Sequence, residues 1–173
     1  MAHSFESQRL VFRQIEPDDW GFFLSLYLDP DVMGHVSDLE SEVVIRNKFE
    51  SRLLEWNKKS KHWLSILIAV RDYTSLVGII GLKPNIENDE FELGYILSKG
   101  SWGKGYASES VEAMLQYSNE ILSISHFKAV VSEGNIASER VLEKHGFIKT
   151  EVIKNAISLN GKWHDDNVYK CHI

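Results

Sequence analysis

The sequence predicts an α/β (α+β) domain, a mixed and mostly antiparallel sheet with helices packed on it. Three observations carry this. Segments of strand-like alternation come in one run and then alternate with helical periodicity. No shift in composition marks a second domain across the 173 residues, so residues 1–173 form one unit. Asn160-Gly161 sits between two apolar-alternating runs, the strongest two-residue hairpin signal in the chain.

The elements follow in order. Gln8 to Ile15 alternates Leu10 and Phe12 with Arg9 and Arg13 and reads as a strand. Pro17-Asp18-Asp19 opens a helix with Trp20, Phe23, Leu24, Tyr27 and Leu28 at helical spacing, and Asp29-Pro30-Asp31 stops it. A second helix is predicted from about Ser41 to Lys58, with Ile45, Phe49, Leu53 and Trp56 on one stripe. Strands follow at Trp63 to Val70 and Leu76 to Leu82, joined by a polar loop from Arg71 to Ser75. After a loop from Pro84 to Asp89, Phe91 to Leu97 is the fourth strand. The Gly100–Gly105 stretch leads into a helix to about Leu122, and Lys128 to Ser132 is the fifth strand. Asn135 caps a helix ended by Gly146, and two strands flank Asn160-Gly161. The expectation is seven strands and about four helices.

Composition excludes several classes of function. With 19 basic and 25 acidic residues the net charge is -6, so no nucleic-acid footprint is expected. The single cysteine, Cys171, rules out an internal disulfide and reads as a small apolar residue on a terminal strand. His126, His145 and His164 lack metal-ligand spacing, so no metal is assigned. Met1 to Phe12 has no secretory-signal pattern, and the longest apolar run is too short for a bilayer, so no membrane association and a cytoplasmic location are expected.

The chemistry concentrates in Glu92-Leu-Gly-Tyr-Ile-Leu-Ser-Lys-Gly-Ser-Trp-Gly-Lys-Gly-Tyr-Ala-Ser-Glu109. A strand feeds a turn whose glycines, Gly103 and Gly105, flank Lys104, and the turn opens a helix. Glycines let the backbone adopt positive φ and approach a ligand closely. Unpaired N–H groups and the helix dipole favour an anion, so a phosphate or pyrophosphate is expected at Trp102 to Ser108. The Walker A spacing is absent, and Ser108 stands where a dinucleotide fingerprint needs its third glycine or an alanine.

Trp102-Gly-Lys-Gly-Tyr-Ala107 resembles the pyrophosphate motif of the GNAT acetyltransferase superfamily, with Trp102 where the family has Arg or Gln. Glu92-Leu-Gly-Tyr95 and Asn135-Ile-Ala-Ser-Glu-Arg-Val-Leu-Glu-Lys-His-Gly-Phe147 are similar to motifs of its ribosomal-protein N-terminal acetyltransferase branch. The resemblance implies a sheet splayed between the fourth and fifth strands, with acetyl-coenzyme A as co-substrate in the gap. Backbone groups of Ile96, Leu97 and Ser98 would hold the pantetheine arm and acetyl carbonyl. Trp102, Gly103, Lys104, Gly105, Tyr106, Ala107 and Ser108 would form the pyrophosphate turn, although Trp102 and Tyr106 also read as packing residues. Asn135 would contact the pantetheine arm as well as cap its helix. Arg140 and Lys144, one turn apart, would reach coenzyme phosphates or form a solvated basic edge.

An amine must lose a proton before it can attack, so a general base is needed, followed by an acid for the leaving thiolate. Glu92 is the candidate base, or else a carboxylate that hydrogen-bonds a neighbouring strand. Ser138 is the candidate acid, or else a residue that satisfies its helix terminus, with a family tyrosine as competitor. No nucleophile is placed for an acetyl-enzyme, so transfer in a ternary complex is expected. The acceptor is a primary amine, either a protein N-terminus or a small molecule. The segment from Gly34 to Trp63 and the Asn160-Gly161 hairpin are expected to wall it. A catalytically silent acetyl-coenzyme A sensor is the alternative function, and a monomer or homodimer the expected assembly.

Overall fold

A computed structural model describes residues 3–72 and 75–173. Tyr73 and Thr74 of the predicted loop, and Met1 and Ala2 of the segment read for a signal, lie outside the described residues. The strands are β1 (Ser4–Glu6), β2 (Leu10–Gln14), β3 (Leu64–Val70), β4 (Leu76–Asn85), β5 (Glu90–Leu97), β6 (His126–Ser132), β7 (Ile148–Leu159) and β8 (Lys162–His172). The helices are α1 (Trp20–Leu28), α2 (Pro30–Met33), α3 (Glu42–Arg52), α4 (Tyr106–Glu120) and α5 (Ile136–Lys144). One sheet runs in the order β1-β2-β3-β4-β5-β6-β8-β7. Every neighbouring pair is antiparallel except β5 and β6, which are parallel.

Three expectations need correction. The eighth strand is β1, a three-residue edge pairing Phe5 with Phe12, too short to show a repeat in sequence. Asp29-Pro30-Asp31 ends α1 but also starts α2, because the Asp29 carboxylate accepts from the N–H groups of Asp31 and Val32 and Pro30 fits a first turn. The second predicted helix stops at Arg52 rather than Lys58, and Trp56 is buried from the loop beyond it.

Helices cover both faces of the sheet. Val111, Met114 and Leu115 of α4 and Leu142 of α5 pack with Ile66, Ile68, Phe91 and Leu97 on one face. Phe23 and Leu26 of α1, with Ile45 and Phe49 of α3, pack with Leu67 and Ile79 on the other. β3 is therefore buried on both sides, which explains its apolar run from Ile66 to Val70. Each fully buried side chain of this kind contributes roughly 1.5–3 kcal/mol. Asn160 (φ 51°) and Gly161 (φ 75°) both take the positive φ of the tight turn that joins β7 to β8. Among the described residues no helix is long and apolar enough to cross a membrane.

Candidate active site

The sheet forks at its parallel junction. β5 and β6 pair only at Phe91 with Phe127 and at Glu92 with Lys128, and past those rungs the strands separate. β5 stays paired with β4 along its whole length. The Ser98 N–H donates to the Val77 carbonyl at 2.9 Å. Antiparallel alternation then turns the backbone groups of Ile96 towards Ile79 and leaves those of Tyr95 and Leu97 on the open rim. This corrects the expected trio. Leu97 and Tyr95 present their backbone groups to the rim, and Ile96 borders the groove with its backbone turned to β4. Ser98 is spent on β4, with its hydroxyl shared between Val77 and Ser101. The Leu97 carbonyl accepts the Trp102 indole N–H at 3.0 Å, leaving the Leu97 N–H as the rim donor.

That indole bond gives Trp102 a task in place of an arginine or glutamine, since it fastens the turn to the strand that feeds it. Gly103 and Gly105 hold φ of 72° and 78°, values that a side chain resists. The first helical N–H with a main-chain carbonyl partner is that of Glu109, to Gly105 at 3.1 Å. The amides from Gly103 to Ser108 are therefore available to an anion, as a helix start provides. Gly103, Gly105, Tyr106, Ala107 and Ser108 border a groove of about 620 Å³ along with Leu97 and Trp102. Lys104 is exposed and does not line the groove. Its carbonyl instead accepts from Arg9 at 2.9 Å.

Arg9 is one residue that sequence reasoning missed. Its guanidinium pairs with Glu109 at 2.7 Å, its backbone N–H donates to the same carboxylate at 2.7 Å, and it stacks 4.8 Å from the Tyr106 ring centroid. Burial pushes the Glu109 carboxyl up, but hydrogen bonds from Ser7 and from the Arg9 backbone and guanidinium outweigh it and hold the group below its ordinary value. The pair ties the glycine turn to β2 across a hundred residues of chain, and nothing local in either segment announces it.

The opposite wall of the groove is α5. Asn135 caps it through a 3.3 Å bond from the Ser138 N–H to Oδ1, a contact worth about 1 kcal/mol. Asn135 and Ser138 both border the groove. The Tyr95 hydroxyl donates to the Ser138 carbonyl at 3.4 Å, and burial pushes its pKa up to about 12, so it remains a proton carrier. Lys144 donates to the Ser108 hydroxyl at 2.9 Å, which also bonds His145 at 2.8 Å. Lys144 thus reaches the turn, whereas Arg140 is exposed and does not border the groove.

On the other side of the fork lies a second cavity of about 280 Å³. It shares His35, Val36, Tyr95, Ile96, Asn135 and Ser138 with the coenzyme-side groove, so the two spaces meet at the fork. Glu92 borders it, half-buried at the last rung before the strands part, with Lys83 and Lys128 as its register neighbours. Asp166 of β8 borders it too, with Oδ1 bonded to the Ser132 hydroxyl at 2.9 Å. Arg52 and Trp63 close the wall towards α3. Asn160, on the hairpin, donates its N–H to Asp38 at 2.7 Å and so braces the loop that carries His35 and Val36.

A model described as the acetyltransferase (GNAT) domain matches residues 9–148. The chain belongs to the GNAT acetyltransferase family. Its acyl donor is accordingly acetyl-coenzyme A, and the glycine turn with its free amides fits the pyrophosphate of that molecule. The N-acetyltransferase YoaA of Bacillus subtilis is 29% identical over 170 residues, 95% of this chain and 93% of its own. Among solved structures, a spermidine N-acetyltransferase from Vibrio cholerae in complex with coenzyme A and spermine has a TM-score of 0.84 at 18% identity, covering 96% of each chain. A ribosomal L7/L12 α-N-protein acetyltransferase (RimL) in complex with coenzyme A has a TM-score of 0.83 at 21% identity, covering 99% of this chain and 98% of its own. These two likenesses concern the fold.

Proposed function

We propose that the protein transfers the acetyl group directly from acetyl-coenzyme A to a primary amine in a ternary complex, the acceptor being a protein N-terminal α-amine or a small-molecule amine. The observation that carries this reading is the meeting of two cavities at the β5–β6 fork. One is bordered by main-chain donors suited to an anion, the other by Glu92 and Asp166, carboxylates suited to an amine. The amine lone pair attacks the thioester carbonyl, forming the C–N bond, and the C–S bond then breaks. The Leu97 N–H faces the developing oxyanion, a type of contact worth about 2.7–4 kcal/mol. Glu92 takes the amine proton, directly or through a water. The thiolate takes a proton from Ser138 or from the Tyr95 hydroxyl, both of which border the junction of the two cavities. An α-amine, with a pKa of about 8, gives up its proton more readily than a lysine side chain. Cys171 takes no part, because it is buried on β8 behind α5 and its thiol is pushed up by that burial.

The test is an acetyl-coenzyme A assay against N-terminal peptides and small amines, with Glu92→Gln and Gly103→Val as controls. Product that depends on both residues supports the reading. Tight acetyl-coenzyme A binding in calorimetry, with no amine acetylated, would instead identify a sensor.

A further inference from the structure

Arg52 ends α3, where the helix dipole favours a cation, but the dipole alone does not explain its surroundings. Its guanidinium carbon lies 5.3 Å from the Phe23 ring centroid, 5.7 Å from Tyr27 and 5.8 Å from Trp63. Such a cage holds a cation by its rings while stripping it of water. Among the described residues it has no carboxylate partner, and its Nε is buried with no hydrogen-bond partner. The Ser65 hydroxyl, 1% exposed on the neighbouring strand, is likewise without a partner. Both residues border the acceptor cavity. Buried polar groups left unpaired are uncommon and call for a reason. An oriented guanidinium whose terminal nitrogens form no ion pair, on the wall of a binding cavity, is suited to a planar two-oxygen ligand.

Trp63 links this group to the reacting centre. A Cβ on Gly94 would meet the Trp63 ring at 2.9 Å, so the indole lies directly on β5. Gly94 falls between Glu92 and Ile96 on the same face of the strand. The indole therefore rests on β5 between Glu92 and Ile96 on one side and forms part of the Arg52 cage on the other, and all four residues border the same cavity.

We propose that Arg52 binds a carboxylate of the acceptor, so that the substrate is a zwitterion with its amine at Glu92 and its carboxylate several bonds away at Arg52. The proposal rests on the acyl-transfer reading of the same site and deepens it by naming the acceptor class. A polyamine fits poorly, because it brings a second cation to an existing one. The carboxylate comes either from a small aminoalkanoate or from an acidic residue near a peptide N-terminus.

Product analogues bound to the coenzyme A-loaded protein test the inference without relying on turnover. Calorimetry would compare N-acetyl-4-aminobutanoate with N-butylacetamide, and N-acetyl-Ala-Asp-amide with N-acetyl-Ala-Asn-amide. In at least one pair the acid binds about tenfold to a hundredfold more tightly, and Arg52→Gln abolishes the preference. Which pair discriminates identifies the source of the carboxylate. In turnover, Arg52→Gln raises KM for the acid acceptors while kcat stays near wild type, and Arg52→Lys restores part of the affinity. Equal binding within both pairs by the wild-type protein overturns the proposal, even if acetyl transfer is robust and even if Arg52→Gln fails to fold. Discrimination without any acetylated product would refute the acyl-transfer reading instead and leave the anion site standing.

Discussion

The coenzyme groove and the acceptor cavity are neighbours built by different rules. The groove is mainly backbone: the Leu97 amide, the unpaired N–H groups from Gly103 to Ser108, and two glycines at positive φ. These anion-facing amides sit within a dozen consecutive residues, with α5 as the facing wall. The acceptor cavity is mainly side chains brought from four places, Arg52 on α3, Trp63 ahead of β3, Glu92 on β5 and Asp166 on β8. Main-chain chemistry depends on turn geometry and tolerates changes in neighbouring side chains. A side-chain pocket changes its preference with each substitution, which leaves one donor site free to serve many acceptors.

Substitutions on either side of the fork can break that division. The largest effect is expected from Glu92→Gln, which lowers kcat by about a hundredfold to ten-thousandfold in steady-state assays and leaves acetyl-coenzyme A affinity within error. A similar loss of affinity would show that the two halves are not separable. Next comes Gly103→Val. A Cβ there meets nothing within 4 Å, so its effect is conformational, and the coenzyme dissociation constant rises about tenfold to a hundredfold by calorimetry.

Arg9→Met probes the brace beneath the turn. Because the ion pair is partly exposed, a rise of about two- to fivefold in KM for acetyl-coenzyme A is expected, with kcat unchanged. Its partner gives a pH signature. The Glu109 carboxyl stands below its ordinary value when folded, so its contribution is complete above the unfolded pKa and disappears as pH falls through the folded one. Denaturation midpoints of wild type and Glu109→Gln should differ at neutral pH and converge in acid. A gap that persisted in acid would mean that packing rather than charge binds the turn to β2. The smallest effect is Cys171→Ala, which keeps wild-type turnover. Loss of activity there would point to an acetyl-enzyme and end the ternary-complex scheme.

Legibility in the sequence follows the same line. Gly103, Gly105, Asn135 and the Asn160-Gly161 turn could be read because each demands a residue type for a local backbone reason, and each takes the conformation anticipated for it. The fork was anticipated from the motifs around it. β1 was too short to carry a period, and α2 hid behind a proline that reads equally as a stop and a start. Ser98 was placed in the site because alternation along a strand cannot say which edge is already bonded until its partner is known. Arg9 and Arg52 were passed over for a related reason. A guanidinium acts over a distance that chain position does not encode, and both look in sequence like ordinary solvated charge. Asp38, which receives the hairpin amide, is another case, since its partner lies 122 positions away.

The Arg9 bridge has a practical side. Arg9 leads directly into β2, whose outer neighbour is the short edge strand β1, so the turn draws its steadiness from an edge of the sheet. A substitution that frays this edge, such as Phe5→Ala, is then expected to weaken the affinity for the thioester without touching a contact residue, a loss that calorimetry would register.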